Sequence, residues 1–348
     1  MSEDEILAPG KLPGELLSRL LRRYVRPHPS VLIGPEVGAD AAAIEVSSSV
    51  IVVKSDPITF PTPNIGAYLV NVNANDIACM GAEPRWLLVT ALLPEARFTA
   101  AMVEAQFHDL SAACDALGIA LVGGHTEVTV GLDRPLMVGM MIGETDRESL
   151  LDLRRSRPGD AVLLVNGAAI EGTSILASEA HADDLRSIPG DVLARARDLI
   201  RDPGISVVRA ARAIRASGAE IRGMHDPTEG GIATALHEVA RISGYQVRLD
   251  GEAIPVLAET QAICDALELE PLGLIASGAL IAVVPGDAAA NVVNTLHNQG
   301  YEAAAVGTLH DVEPGSARVV QSDGTPLPEY STDEIARYFS LLEARSSS

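Results

Sequence analysis

The acids and amides of this chain fall in short patches beside glycine or proline. Six stand out: Gly38-Ala39-Asp40-Ala41-Ala42, Lys54-Ser55-Asp56-Pro57, Asn71-Val72-Asn73-Ala74-Asn75-Asp76, Gly123-Gly124-His125-Thr126-Glu127, Asp226-Pro227-Thr228-Glu229-Gly230-Gly231 and the Arg85 region after Pro84. Each puts a carboxylate or amide at an expected strand end or helix start. A carboxylate cannot hold a phosphate directly, so acids placed repeatedly among glycines point to a divalent cation as the bridge, and Mg²⁺ takes such oxygen ligands. The chemistry implied is use of ATP with Mg²⁺, in a chain without a Walker A loop. The candidate metal ligands are Asp40, Asp56, Asp76 and Glu127. Gly38, Lys54, Asn73, Asn75, Gly123, Gly124, Thr228 and Gly230 join Asp40, Asp56 and Asp76 as candidate nucleotide contacts. The candidate catalytic groups are His125, Glu127, Asp226 and Glu229.

Each patch has its own argument. Side chains alternate along a strand, so Lys54 and Asp56 share a face. They are either a metal ligand with its phosphate-neutralising partner or an ion pair closing the strand, and Pro57 is expected to end the ladder there. Three asparagines and an aspartate inside an otherwise apolar helix go against propensity, and buried polar groups demand partners. Gly123 and Gly124 are expected at the end of a buried strand, where α/β proteins tend to bind ligands. His125 is then an acid or base near neutrality, or a loop anchor. Pro227 keeps Asp226 out of the helical region and Thr228 can cap, so the free N–H groups that follow form an anion seat. Cys79, Cys114 and Cys264 are expected to be core thiols rather than nucleophiles.

The rest of the chain must position these groups. Its 348 residues suggest two domains, and 47% apolar content supplies ample core. The net charge of -21 opposes nucleic acid and anionic membranes as partners. An acidic start unlike a signal peptide, no apolar run long enough for a bilayer and three scattered cysteines together imply a cytoplasmic protein. Helices are expected over 12–24 and 64–80, and over 99–117 with Val103, Phe107, Leu110, Cys114 and Leu117 facing inward. Strands are expected over 31–33, 41–46, 50–53, 86–92, 119–122 and 136–142, giving an α/β layer. The charged, turn-rich stretch 152–159 divides a first domain, 1–152, from a second, 153–345. The second repeats the α/β pattern, with helices near 168–182, 190–201, 205–217, 228–243, 255–268 and 287–299 and strands at 221–224, 280–284, 303–306 and 317–321. The Ser346-Ser347-Ser348 tail is expected to be disordered.

Asn73-Ala74-Asn75-Asp76-Ile77-Ala78-Cys79-Met80-Gly81-Ala82, Met224-His225-Asp226-Pro227-Thr228-Glu229-Gly230-Gly231 and the segment from Ala253 to Gly278 resemble one family. It is the AIR synthase-related (PurM-like) group, which includes thiamine-monophosphate kinase, selenophosphate synthetase and the hydrogenase maturation factor HypE. The resemblance runs from about residue 30 to 325 and is greatest to HypE. It implies an N-terminal ATP-binding domain whose mixed sheet pairs with that of a second subunit, and a C-terminal α/β sandwich that closes over the nucleotide. It puts Asp40, Asp56 and Asp76 on the family's Mg²⁺–phosphate acids and Glu127 in the Gly-Gly loop. The implied activity is ATP-dependent activation of an oxygen on a small or carrier-bound acceptor. Its alternatives are a HypE-type carbamoyl dehydratase, a thiamine-monophosphate kinase-like enzyme and a non-catalytic scaffold of a maturation system. HypE carries its substrate on a terminal cysteine, whereas this sequence has none after Cys264, so a separate acceptor, or a maturation partner that brings one, is expected.

Overall fold

The structure is a computed structural model that describes residues 14–24, 28–59, 64–95, 98–312, 315–316 and 318–346. Residues 12–13 of the first expected helix, Ala317 and the end of the serine tail lie outside them. Two mixed sheets organise the molecule. The first comprises β1 (Val31–Ile33), β2 (Ala42–Val46), β3 (Ser49–Ile58), β4 (Glu83–Pro94), β5 (Ala120–Thr129) and β6 (Leu136–Thr145), in the order β1-β2-β3-β6-β4-β5. Only the β4–β5 pair is parallel. Helix α1 (Gly14–Tyr24) precedes this sheet, while α2 (Ile65–Cys79) and α3 (Ala100–Leu117) connect its strands.

Alternation along the strands shows which face is covered. On β4, Leu87, Val89, Ala91 and Leu93 are buried, and on β6, Met137 and Met141 are fully buried. Their neighbours Leu88, Leu92, Leu136, Val138 and Ile142 are half-buried, and Trp86 and Met140 are exposed. The inner face carries α2, which sits close because glycines face it: a Cβ on Gly143 would lie 2.2 Å from Ile77 and one on Gly139 2.7 Å from Asn73. The outer face is largely apolar and is not covered by any of the described residues.

The second sheet comprises β7 (Ala161–Val165), β8 (Gly223–His225), β9 (Gln246–Leu249), β10 (Leu280–Val284), β11 (Ala303–His310) and β12 (Val319–Gln321), in the order β12-β9-β11-β7-β10-β8. Seven helices accompany it among the described residues: α4 (Ile170–Glu179), α5 (Gly190–Asp198), α6 (Val208–Ala216), α7 (Gly231–Ser243), α8 (Ala258–Leu267), α9 (Ala289–Asn298) and α10 (Glu334–Ser346). The central strands β7 and β10 are buried on both faces, so they read as unbroken apolar runs. One face packs on α6 and α9 and shares a continuous core with α2 of the first domain. No helix of the described residues is long and apolar enough to cross a membrane.

Four local expectations change. The β3 ladder does not stop at Pro57 but continues through Pro57↔Val138 to Ile58↔Met137. Beyond Ala42↔Val53, β3 has lost β2 and become a sheet edge, where proline is tolerated. The strand carrying Gly123 to Glu127 is not buried: β5 is the sheet's edge and is exposed along nearly its whole length. Of the α3 stripe, Leu110, Cys114 and Leu117 are buried, but Val103 is half-buried and Phe107 exposed: α3 packs mainly on α2, with Leu110 against Gly66, and its early turns gain less cover. Helix α7 starts at Gly231 with Gly230 as its N-cap, not at Thr228. Strand β9 and helix α10 were not anticipated.

Candidate active site between the two domains

Lys54 and Asp56 point from β3 toward α2, on the face that also buries Val50 and Val52. The Lys54 ammonium lies 3.0 Å from Asp76 Oδ1 and 3.2 Å from Asp56 Oδ2, so one lysine bridges the strand and the helix. Helix α2 is held here by its asparagines. Asn73 accepts the Asp56 N–H at 3.0 Å and donates to the Asp56 and Leu69 carbonyls. It thereby supplies the backbone partners that β2 would have given. Asn75 donates to the Ile205 carbonyl and accepts from the Val207 N–H, both at 2.8 Å, which ties α2 to the second domain. Asn71 donates to the Ala67 carbonyl. The amides of Asn73 and Asn75 are thus spent on backbone.

From the second domain, β8 delivers His225 and Asp226 to the same place. His225 Nδ1 lies 2.5 Å from Asp40 Oδ1, and its Nε2 lies 2.8 Å from Glu238 Oε2 on α7. The Asp40 loop rests on α7 at Gly38, whose φ of +88° suits glycine and where a Cβ would stand 3.1 Å from Glu238 and Ile242. Cys79 donates to Asp226 Oδ1 at 3.6 Å. Asp40, Asp76, His225 and Asp226 are all buried.

Carboxyls outnumber cations in this cluster, and the acid–base balance shows it. Burial pushes Asp76 upward, as do Asp226, Asp40 and Asp56, against the pull of Lys54. Burial and Asp40 raise Asp226 to about 7. Burial works against the Lys54 and His225 cations, but Asp76, Asp56 and Asp40 hold Lys54 charged, and Asp40 and Glu238 hold His225 as imidazolium. Protons therefore neutralise part of the cluster, and a divalent cation could take their place. The donors are hard oxygens on short side chains, the set Mg²⁺ requires. Asp40, Asp56, Asp76 and Asp226 would hold the ion, which would supply charge to phosphate oxygens.

The remaining candidates lie elsewhere. His125 Nε2 and Glu127 Oε2 are 3.1 Å apart on β5, and both residues are exposed. The pairs Asp56↔Gly139, Gly139↔Val89 and Val89↔Gly124 put their strand three spacings from Asp56, about 14 Å. His125 pairs with Thr90 and Glu127 with Leu92, on the outer face of the sheet. Within one chain Glu127 is thus remote from the other three acids. A Cβ on Gly124 would stand 1.8 Å from the Val89 carbonyl, so strand pairing alone requires that glycine. In the Asp226 motif, Glu229 is exposed, Thr228 half-buried, and the Gly230 N–H is taken by Asp333 Oδ2 at 2.7 Å. Sequence reasoning missed His225 and Glu238. A histidine between Met224 and Asp226 on a buried strand was the available signal.

Residues 38–145 match the AIR synthase related protein N-terminal domain, and residues 157–320 its C-terminal domain. The chain belongs to this family, whose two-domain α/β architecture it shares. Among curated relatives, it is similar to the carbamoyl dehydratase HypE of Rhizobium leguminosarum bv. viciae, with 32% identity over 282 residues, 78% of this chain and 76% of that protein. Among solved structures, it resembles the hydrogenase maturation protein HypE in complex with ATP, at 25% identity and a TM-score of 0.68, covering 94% of this chain and 98% of that one. Thiamine monophosphate kinase from Aquifex aeolicus shares the fold, with 18% identity, a TM-score of 0.66 and coverage of 90% and 96%.

Proposed function

We propose that the protein is a cytoplasmic, ATP- and Mg²⁺-dependent enzyme that activates an oxygen of a small or carrier-bound acceptor by phosphoryl transfer. The observation that carries this reading is the surplus of carboxylates where the two domains meet: Asp56 and the buried Asp76 at Lys54, and the buried Asp40 and Asp226 with His225. Electrostatic clamping of a phosphoryl group is the main task such a site has to perform. Residues 1–152 bind the nucleotide and residues 153–345 close over it, with Thr228 and Glu229 at the mouth. The ATP named for the HypE structure supports the choice of nucleotide. A second reading, the carbamoyl dehydratase activity named for the Rhizobium relative, is favoured by the identity to that protein.

The working unit in this proposal is a homodimer. Trp86, Leu88, Leu92, Leu136, Val138, Met140 and Ile142 leave one sheet face apolar and uncovered by the described residues, more than a monomer in water tolerates. His125 and Glu127 stand on that same face, so only a second subunit can bring them against an acid cluster. Isothermal titration of ATP with and without Mg²⁺ tests the central claim. Binding should need the metal, and Asp76→Asn should abolish most of it. Equal ATP affinity with and without Mg²⁺ overturns the reading.

A further inference from the structure

The acid cluster accounts for carboxylates between the domains but leaves the arginines there without a role. In a chain of net charge -21, four of them, Arg155, Arg212, Arg215 and Arg222, line one cavity of about 620 Å³. None of Asp40, Lys54, Asp56, Asp76, His225 or Asp226 lines it. We propose that this cavity is a second binding site, for a small phosphate- or carboxylate-bearing anion held chiefly by Arg155 and Arg215.

Local sequence places these arginines. Arg212 and Arg215 stand three apart on α6 and share a face, while Ala210, Ala211 and Ile214 turn inward. Arg155 closes the short turn Leu153–Arg155, and Arg222 leads into β8. Glu83, Glu148 and Leu151 form the facing wall from the first domain. The ion pairs then show which cations are engaged. Arg222 is buried and held by Asp160 and Glu220. Arg212 directs Nε and Nη2 onto Glu83 Oε2 at 2.9 and 2.7 Å. Arg215 reaches Glu83 only at 3.6 Å, too far for a hydrogen bond, and otherwise lies in the field of Asp146. The Arg155 guanidinium has no partner among the described residues. Two guanidinium groups therefore face the cavity with their donors unused. Each is a planar fork that matches the oxygens of a carboxylate or phosphate, and a cavity of this size takes a small molecule. Glu148, exposed and without an ion pair among the described residues, keeps the field of the site modest, which favours a small anion over a polyanion. Glu83 is the ligand's competitor. An anion in the cavity draws Arg215 and Arg212 off that carboxylate and loosens one ion-pair link between the domains.

The site uses none of the groups assigned to Mg²⁺, so it is tested in EDTA and does not depend on the ATP reading. Inorganic phosphate and, separately, malonate are titrated calorimetrically into the whole chain at constant ionic strength. At least one of them should bind saturably, and which one does so tells a phosphate ligand from a carboxylate. Arg155→Ala, a change to an exposed side chain, and Arg215→Gln should each weaken binding about 10-fold or more. Glu83→Gln removes the competing carboxylate, frees Arg212 and Arg215, and should tighten it, an effect that a purely structural ion pair would not produce. No saturable binding of either anion, an affinity that Arg155→Ala and Arg215→Gln leave unchanged, or one that Glu83→Gln fails to raise overturns the proposal.

Discussion

Replacing Lys54 by methionine keeps the apolar stem and removes only the ammonium. In the protein that ammonium lies 3.0 Å from Asp76 and 3.2 Å from Asp56, whose side chains are 8% and 35% exposed. At an effective dielectric near 20, a pair at 3 Å is worth about 5 kcal/mol before desolvation is charged against it. The contribution of Asp56 is discounted heavily, since a third of that side chain is in water. Asp76 dominates: stripped of its partner, it becomes a buried charge in the company of Asp40 and Asp226. Breaking such a pair from one side costs about 3–5 kcal/mol, and that is the loss expected at pH 8 without divalent ions. If the cluster is a cation site, Mg²⁺ should then do what the lysine did. At 100 times its dissociation constant, the ion restores about 2.7 kcal/mol, and it should stabilise the variant more than the wild type. Urea unfolding of both proteins, with EDTA or with Mg²⁺, measures this directly. A loss below about 1 kcal/mol, or an identical Mg²⁺ effect on both proteins, would refute the reasoning.

Glu171 is buried on α4, with one carboxylate oxygen that finds no partner, and burial raises its pKa from 4.5 to about 7. The native state therefore binds more protons than the unfolded one between those values, so stability falls as pH rises from about 4.5 through 7. Glu171→Gln should match the wild type near pH 4.5 and exceed it by about 3 kcal/mol at pH 8; a difference that ignores pH would sink the assignment. Light scattering of the wild type should report about twice 36.4 kDa, and Met140→Lys on the bare sheet face should give the monomer. A monomeric wild type at micromolar concentration would rule out the proposed pairing.

Much of the architecture was legible because periodicity states it. The helix from Ala100 to Leu117 carried both its cap residue Thr99 and its closing Gly118 in the sequence, and both act as such. The buried strand Leu280–Val284 is an unbroken apolar run, as expected. What periodicity cannot state is which neighbours arrive. Phe107 continues its helical stripe yet faces solvent, since nothing in a stripe says how far its neighbour α2 covers it. The Gly-Gly-His-Thr-Glu patch carries the composition of a ligand loop, but two of its features follow from strand pairing and from an outer face left open. Within the site, Asp40, Lys54, Asp56, Asp76 and Asp226 could be picked from their local settings. His225 and Glu238 could not be assigned partners, because the pairs they form with each other and with Asp40 span 13 and 185 positions of sequence.

Asn75 and Asp76 are consecutive residues, and that adjacency limits how the molecule can move. Asn75 is bolted to the backbone on either side of Ser206, while its neighbour on the same helical turn faces Lys54 and the acids. The second domain cannot pivot about α2 without drawing those bolts or dragging Asp76 with it. Any opening that the proposed nucleotide site requires must spare that one turn of helix and bend elsewhere in the chain. The two domains therefore share a common axle, and the acid at its end is carried as a fixed mark against which both halves are aligned.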